Sequence, residues 1–335
     1  KRHHQPCLLS PLPPRPMASG STACTVLLLV ALCFALHGGA GEARSLAVET
    51  SRARVKNARE LKHGARTHTT LHPTRLNGDI VCHRAELNSP RSEYYGAKAK
   101  LSIHPLPYVT TDQRSAASIQ VINDEPIGNK QHISGVEAGW QASPEVYGDT
   151  ASRLFAYWTN EYNETIGCFD TQCPGFLVQT GTPIPPGTKL TSLSKYGGEQ
   201  QYITLTISKD LTTGNWWLVY DDDFFHNVQV GYWPKSLFSR FDKATIIAYG
   251  GGVNYPKDTT GPPMGSGHFS CEGEGKAASI RNIQFMDQYK NLRDYENETV
   301  YFDAPSCYDA SSPSDIEDEN GLHVYFGGPR GCAQM

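Results

Sequence analysis

Residues 201–207 read Gln-Tyr-Ile-Thr-Leu-Thr-Ile, and residues 215–220 read Asn-Trp-Trp-Leu-Val-Tyr. In the first stretch Tyr202, Thr204 and Thr206 alternate with Ile203, Leu205 and Ile207. A period of two is what a strand needs when one face meets a core and the other meets water. Thr212-Thr213-Gly214 lies between the two stretches as a turn signal, so together they predict an antiparallel hairpin. Further short strands follow at 116–122, 227–233, 244–249 and 323–326. Turn signals recur every 8–12 residues or so, and no helical period persists beyond a few turns. The composition agrees, with 31 Gly, 22 Pro and 17 Tyr among 335 residues, of which 39% are hydrophobic. That is the profile of a turn-rich β protein with enough apolar material for a sizeable core. Residues 115–335 are therefore read as all-β, an antiparallel two-sheet β-sandwich.

The chain before that domain has a different character. Residues 1–16 precede the first methionine, Met17, and read as an upstream leader. Residues 17–43 read as a signal peptide: the apolar run Thr-Val-Leu-Leu-Leu-Val-Ala-Leu-Cys-Phe-Ala-Leu at 25–36 has signal length, and Gly38, Gly39 and Ala40 follow it. The run is too short to span a bilayer comfortably, so no stable membrane insertion is expected. Residues 44–114 read as a small propeptide and linker. Their first part is basic and polar, and Asn77-Gly78-Asp79 turns into a short strand at Ile80-Val81-Cys82.

Charge divides along the same line. Residues 1–130 hold 17 Lys and Arg against 9 Asp and Glu, a net +8, whereas residues 131–335 hold 13 against 25, a net −12. An acidic back half argues against nucleic acid as its partner, and opposite signs suit an N-terminal segment that docks on the domain. Once leader and signal are set aside, six cysteines remain: Cys82, Cys168, Cys173, Cys271, Cys307 and Cys332. An even number in a secretory chain suggests disulfides, and the lack of Cys-x-x-Cys spacing argues against a zinc ribbon. Asn163 and Asn297 open Asn-Glu-Thr sequons and are expected glycosylation sites. These features place the protein outside the cytoplasm, as a secreted, cell-wall or vacuolar protein.

Several motifs bear on chemistry. Ser266 sits in Met-Gly-Ser-Gly-His-Phe beside His268, but a neighbour two residues away in an irregular turn does not make a triad. Asp221-Asp222-Asp223 reads as a solvated hairpin end. His226, His268 and His323 are scattered, so neither metal nor cofactor is expected. Glu137 is a lone acid in Ser-Gly-Val-Glu-Ala-Gly-Trp at 134–140. Held in a cleft, such a carboxylate serves as a general acid or base.

Taken in order, many segments resemble the neprosin family, the secreted plant glutamic prolyl endopeptidases and their relatives. Asn-Gly-Asp-Ile-Val-Cys at 77–82 resembles the family's propeptide signature, and 135–149 resembles the start of its catalytic domain. Arg-Leu-Phe-Ala-Tyr-Trp-Thr at 153–159, Gly-Cys-Phe at 167–169, Cys-Pro-Gly-Phe at 173–176, Gly-Tyr-Trp-Pro at 231–234, 264–269 and Tyr-Phe-Gly-Gly-Pro at 325–329 continue the match. The resemblance implies a β-sandwich whose cleft a propeptide blocks until acid pH removes it. It also implies cleavage after proline by two glutamates, without metal or cofactor. The partners it implies are a proline-containing peptide or protein and the chain's own propeptide.

The first family glutamate falls on Glu137, the candidate general base. The second belongs to Trp-Gly-Gly-Glu-Val, which here reads Tyr249-Gly250-Gly251-Gly252-Val253, so Gly252 stands where that glutamate is missing. The expectation is therefore an impaired or inactive peptidase, with a gap in the cleft wall at Gly252. Trp140 and Tyr249 are the expected aromatic lining for a proline ring. Asp258, Glu272 and Glu274 are the acids that could stand in for the missing group. The alternative is a non-catalytic secreted binder of proline-rich peptides or cell-wall glycans. The resemblance also pairs Cys168 with Cys173. Cys307 with Cys332 is the further expected disulfide, tying down the C-terminus.

Overall fold

The computed structural model describes residues 80–128, 132–161, 165–314 and 320–332. The leader, the signal peptide, Asn163 and residues 44–79 of the expected propeptide lie outside the described residues. Two antiparallel sheets make up the fold. The first has seven strands, in the order β15 (Thr299–Phe302), β1 (Ile80–Asn88), β11 (Ile246–Pro256), β3 (Arg114–Asn123), β4 (Ile133–Ala142), β5 (Arg153–Glu161) and β6 (Thr165–Phe169). The second runs β12 (Met264–Gly265), β17 (Val324–Gly328), β13 (Ala278–Met286), β2 (Gly96–Ser102), β8 (Tyr202–Lys209), β9 (Trp216–Asp221), β10 (Val228–Trp233) and β7 (Leu177–Val178). Two short strands complete it: β14 (Leu292–Arg293) pairs with β13, and β16 (Asp309–Ala310) pairs with β17.

The expected hairpin is present. β8 and β9 pair antiparallel from Thr204 opposite Asp221 to Lys209 opposite Trp216. Ile203, Leu205 and Ile207 are each at most 1% exposed, so the alternation does put one face of β8 on the core. The core lies between the sheets, where Trp140, Tyr249, Ile119 and Leu154 meet Leu101, Leu205, Trp216 and Phe326. The longest α-helix among the described residues is one turn, α1 (Pro144–Tyr147). No described helix is long and apolar enough to cross a membrane.

One expected boundary shifts. The division at 114/115 passes through the sandwich, because β1 and β2 are interior strands. β1 pairs with β11 along nine residues and with β15 on its other edge. β2 lies between β13 and β8. Arg84-Ala85-Glu86-Leu87 alternates polar with apolar, as a sheet strand does, and its pairing partner is more than 160 residues away in sequence.

Both expected disulfides are present. Cys168 and Cys173 have Cα atoms 6.2 Å apart, and Cys307 and Cys332 have theirs 5.4 Å apart. Asn297 is exposed, in a bend with φ of 62°. The Asp221–Asp223 run caps a hairpin end: Asp222 accepts the backbone N–H groups of Phe224 and Phe225 at 2.8 and 2.6 Å.

Candidate active-site cleft

The seven-stranded sheet turns its second face away from the core, and a cleft lies there. Six adjacent strands send side chains to its lining, among them Arg84 from β1, Asn254 from β11, Arg114 from β3, Glu137 from β4, Tyr157 from β5 and Phe169 from β6. Strand alternation selects them, since residues two apart share a face.

Glu137 is 3% exposed. Ser118 Oγ donates to its Oε1 at 2.7 Å, and Arg114 Nη2 stands 3.5 Å from the same oxygen. Arg114 is itself fixed. Its Nε donates to Gln141 Oε1 at 2.5 Å, and its guanidinium lies 5.1 and 5.0 Å from the ring centres of Phe155 and Phe169. The chain of contacts continues outward: Gln141 Nε2 donates to Tyr147 OH at 2.9 Å, and Tyr147 OH donates to Asp170 Oδ2 at 2.7 Å. Burial pushes the Asp170 carboxyl up to about 6, against the hydrogen bonds from Ala156 N–H and Tyr147 and the charge of Arg114. Burial lowers the pKa of Arg114, and the Arg84 charge lowers it further, while Glu137 opposes both.

Gly252 lies on the same face, paired with Ala116 on one side and Arg84 on the other. Glu137 pairs with Gln120, so the two positions sit on a diagonal, two strands and four residues apart. The expected gap at Gly252 is filled. A Cβ built there would come within 2.5 Å of Arg84 Nη1 and 3.1 Å of its Cζ.

Trp140 and Tyr249 are not part of this cleft. Each is an odd number of residues from the polar position on its own strand, and so points into the core. Trp140 Nε1 donates to Ser102 O of the opposite sheet at 2.8 Å, and Tyr249 OH donates to Gln284 O at 2.9 Å. The aromatic wall of the cleft is instead Tyr157 and Phe169, which pack with Phe155 and Ala116 in a separate apolar cluster.

The three acids considered as substitutes are elsewhere. Glu272 accepts from Tyr196 OH and contacts His268, Glu274 is held by Arg281 and Tyr325, and Asp258 is exposed in the turn after β11. Among the described residues Ser266 Oγ has no hydrogen-bond partner, and His268 Nδ1 faces Glu272, so these two do not form a nucleophile and base pair. No group of three or more His, Cys, Asp or Glu that could hold a metal occurs among the described residues.

The acid that sequence reading missed is Glu86, 1% exposed and two residues beyond Arg84 on β1. Gln120 Nε2 donates to its Oε2 at 3.5 Å. Burial raises the Glu86 carboxyl to about 7; the Arg84 charge opposes the rise, and the Glu137 and Asp303 charges add to it. The alternation in β1 was a visible signal for Glu86 and Arg84, but the pairing that brings them to Gly252 was not.

Two solved structures are similar to this chain at low identity. Scytalido-glutamic peptidase with a peptide-based transition-state analogue matches at 8% identity and a TM-score of 0.39, covering 75% of this chain and 100% of that one. SCP-B, a member of the Eqolisin family of peptidases in complex with the tripeptide Ala-Ile-His, matches at 7% identity and a TM-score of 0.36, covering 74% and 98%. The sequence comparison is direct: the profile of the family named Neprosin matches residues 111–329, the greater part of the chain. This protein, with its two antiparallel sheets and its carboxylate-bearing cleft, belongs to the neprosin family.

Proposed function

We propose that this is a secreted neprosin-family protein that takes proline-containing peptides into the Glu137 cleft and cleaves them slowly or not at all. The observation that carries the reading is the guanidinium of Arg84 over Gly252. Where the family resemblance implies a second carboxylate, this chain has no side chain, and a positive group fills the space. Glu137 alone could activate a water, but no partner acid at 252 would support the tetrahedral intermediate. Losing one of two cooperating proton-transfer groups commonly costs about 10²–10⁴ in rate. Tyr157 and Phe169 offer flat apolar faces to a proline ring beside Glu137. The Cys168–Cys173 and Cys307–Cys332 disulfides support an oxidising, extracytoplasmic location.

The test is to incubate purified, acid-treated protein with a proline-containing peptide and to follow binding and cleavage separately. Binding with little or no cleavage is expected. Rapid cleavage after proline that Glu137→Gln abolishes would keep the cleft and overturn the impairment.

A further inference from the structure

The cleft contains positive and hydrogen-donating groups that the rest of the protein leaves unmatched. Arg84 is 4% exposed, and among the described residues its guanidinium has neither a hydrogen bond nor an ion pair; its backbone N–H alone is used, toward Asp303. Arg114 Nη2 is buried without a hydrogen bond, its nearest acceptor being Glu137 at 3.5 Å. The Arg84 guanidinium faces the cleft with no anion beside it, so its charge and its donors are open to a ligand.

The neighbouring acids do not supply it. Glu137 is already engaged by Ser118 and Arg114. Glu86 is near enough to feel the Arg84 charge, but burial favours its neutral form, and it is bonded to Gln120. Asp303 accepts from the Arg84 backbone and from His83. Asp112 and Glu145 also line the cleft, but both are exposed at its mouth, where water and salt screen them.

We infer that Arg84, with the spare Nη2 of Arg114 in the same cleft, forms a seat for a carboxylate, and that the carboxylate is the C-terminus of a proline-ended peptide. Arg is the side chain whose planar fork matches a carboxylate in two parallel hydrogen bonds. Asn254 stands beside them with a buried, unpartnered Oδ1, an acceptor suited to a peptide N–H one residue back along the ligand. Tyr157 and Phe169 lie along the same cleft for the ring. Gly252 makes the seat possible, because any side chain there would displace the guanidinium. This assignment rests on the peptide-cleft reading above and names its ligand more closely.

Three acetylated tetrapeptides test it by calorimetry: one ending in proline with a free carboxylate, its C-terminal carboxamide, and a carboxamide carrying an internal glutamate. Hydrogen bonds to charged groups differ enough from neutral ones that the free acid should bind about tenfold or more tighter than its amide. Arg84→Gln should erase that preference, and Arg84→Lys should keep part of it. Equal binding of acid and amide by the unaltered protein overturns the seat while leaving the peptide cleft standing. Binding of the internal-glutamate amide as tightly as the free acid overturns the C-terminal assignment. Failure of all three to bind overturns the seat and the peptide-cleft reading together. The acid–amide comparison needs no variant, so it decides the matter even where an Arg84 substitution does not fold.

Discussion

Nη1 of Arg84 stands 2.5 Å from the point where a Cβ on Gly252 would lie. The two residues face each other across β1 and β11, in register, on the cleft side of the seven-stranded sheet. The relationship is mutual. The missing side chain lets the guanidinium cross over the neighbouring strand, and the guanidinium fills the space the missing side chain leaves. Gly252 is thus part of a compensated arrangement in which the floor of the cleft carries positive charge.

The Glu137–Arg114 pair should matter for stability as well as for chemistry. Both side chains are nearly inaccessible, at 4% and 11% exposure. Glu137→Gln leaves a buried guanidinium without its anion, which commonly costs about 3–5 kcal/mol. Urea unfolding at neutral pH should show a loss of that order. A change under about 0.5 kcal/mol would mean that water or another group already serves Arg114.

Stability should also depend on pH through Glu86. Its carboxyl is raised from 4.5 to about 7 in the folded protein. Between those values the native state holds a proton that the unfolded state has released. The contribution of Glu86 to stability therefore falls as pH rises through this window and is fully present below about 4.5. The difference across the window is on the order of 3 kcal/mol. Asp170, raised to about 6, acts in the same direction at lower pH. His104, lowered by burial to about 4, acts in the opposite direction below its ordinary value, because the unfolded state then binds the proton. Glu86→Gln cannot ionise, so it should flatten the profile between pH 5 and 7.5 and raise the urea midpoint at pH 7.5. An unchanged profile would show that Glu86 does not titrate in that range.

Aromatic substitutions should separate core from cleft. Trp140→Ala removes a fully buried indole and its bond to Ser102, and should cost about 3–5 kcal/mol of stability. Tyr157→Ala, on the opposite face, should weaken binding of a proline-containing peptide several-fold. Thermal melting and peptide titration on both variants check this. Weakened binding with Trp140→Phe, at unchanged melting temperature, would show that the core indole reaches the ligand after all.

Much of the architecture was legible because hairpins are local. The alternation at 202–207 and the turn at 212–214 specify β8 and β9 almost without reference to the rest of the chain. Glu137 was legible as a lone acid among small and apolar residues. The cleft aromatics were not, because the choice between Trp140 and Tyr157 turns on which face of a fully buried strand is the core, and all ten residues of β4 are buried. Arg84 and Glu86 were hidden for a topological reason. β1 comes before the segment the family profile matches, and it pairs with a strand more than 160 residues later. Local pattern can mark such a strand but cannot say what it will face.

The relationship between Arg84 and Gly252 determines how a second carboxylate could be installed. Gly252→Glu alone places a Cβ against the guanidinium, and its carboxylate would meet Arg84 as an ion pair. That carboxylate would then be neutralised by its neighbour, unavailable to a substrate, and the single variant should cleave no faster than the unaltered protein. Arg84→Ala alone removes the positive group and supplies no acid, so it too should leave cleavage low. The double variant removes the obstacle and adds the acid, and it should raise cleavage of a proline-containing peptide at acid pH by about 10²-fold or more, the usual contribution of one proton-transfer group. Because the two positions touch, their effects should be strongly non-additive, and that coupling is the quantity to measure. Adding Glu137→Gln to the double variant should return activity to background. Should Gly252→Glu alone give as much activity as the double variant, the guanidinium moves aside freely and is not what limits the site. Should the double variant fold, bind peptide and remain inert, the diagonal from Glu137 to position 252 is too long for two carboxylates to share one substrate, and the proposal that a glutamate at 252 completes the site falls.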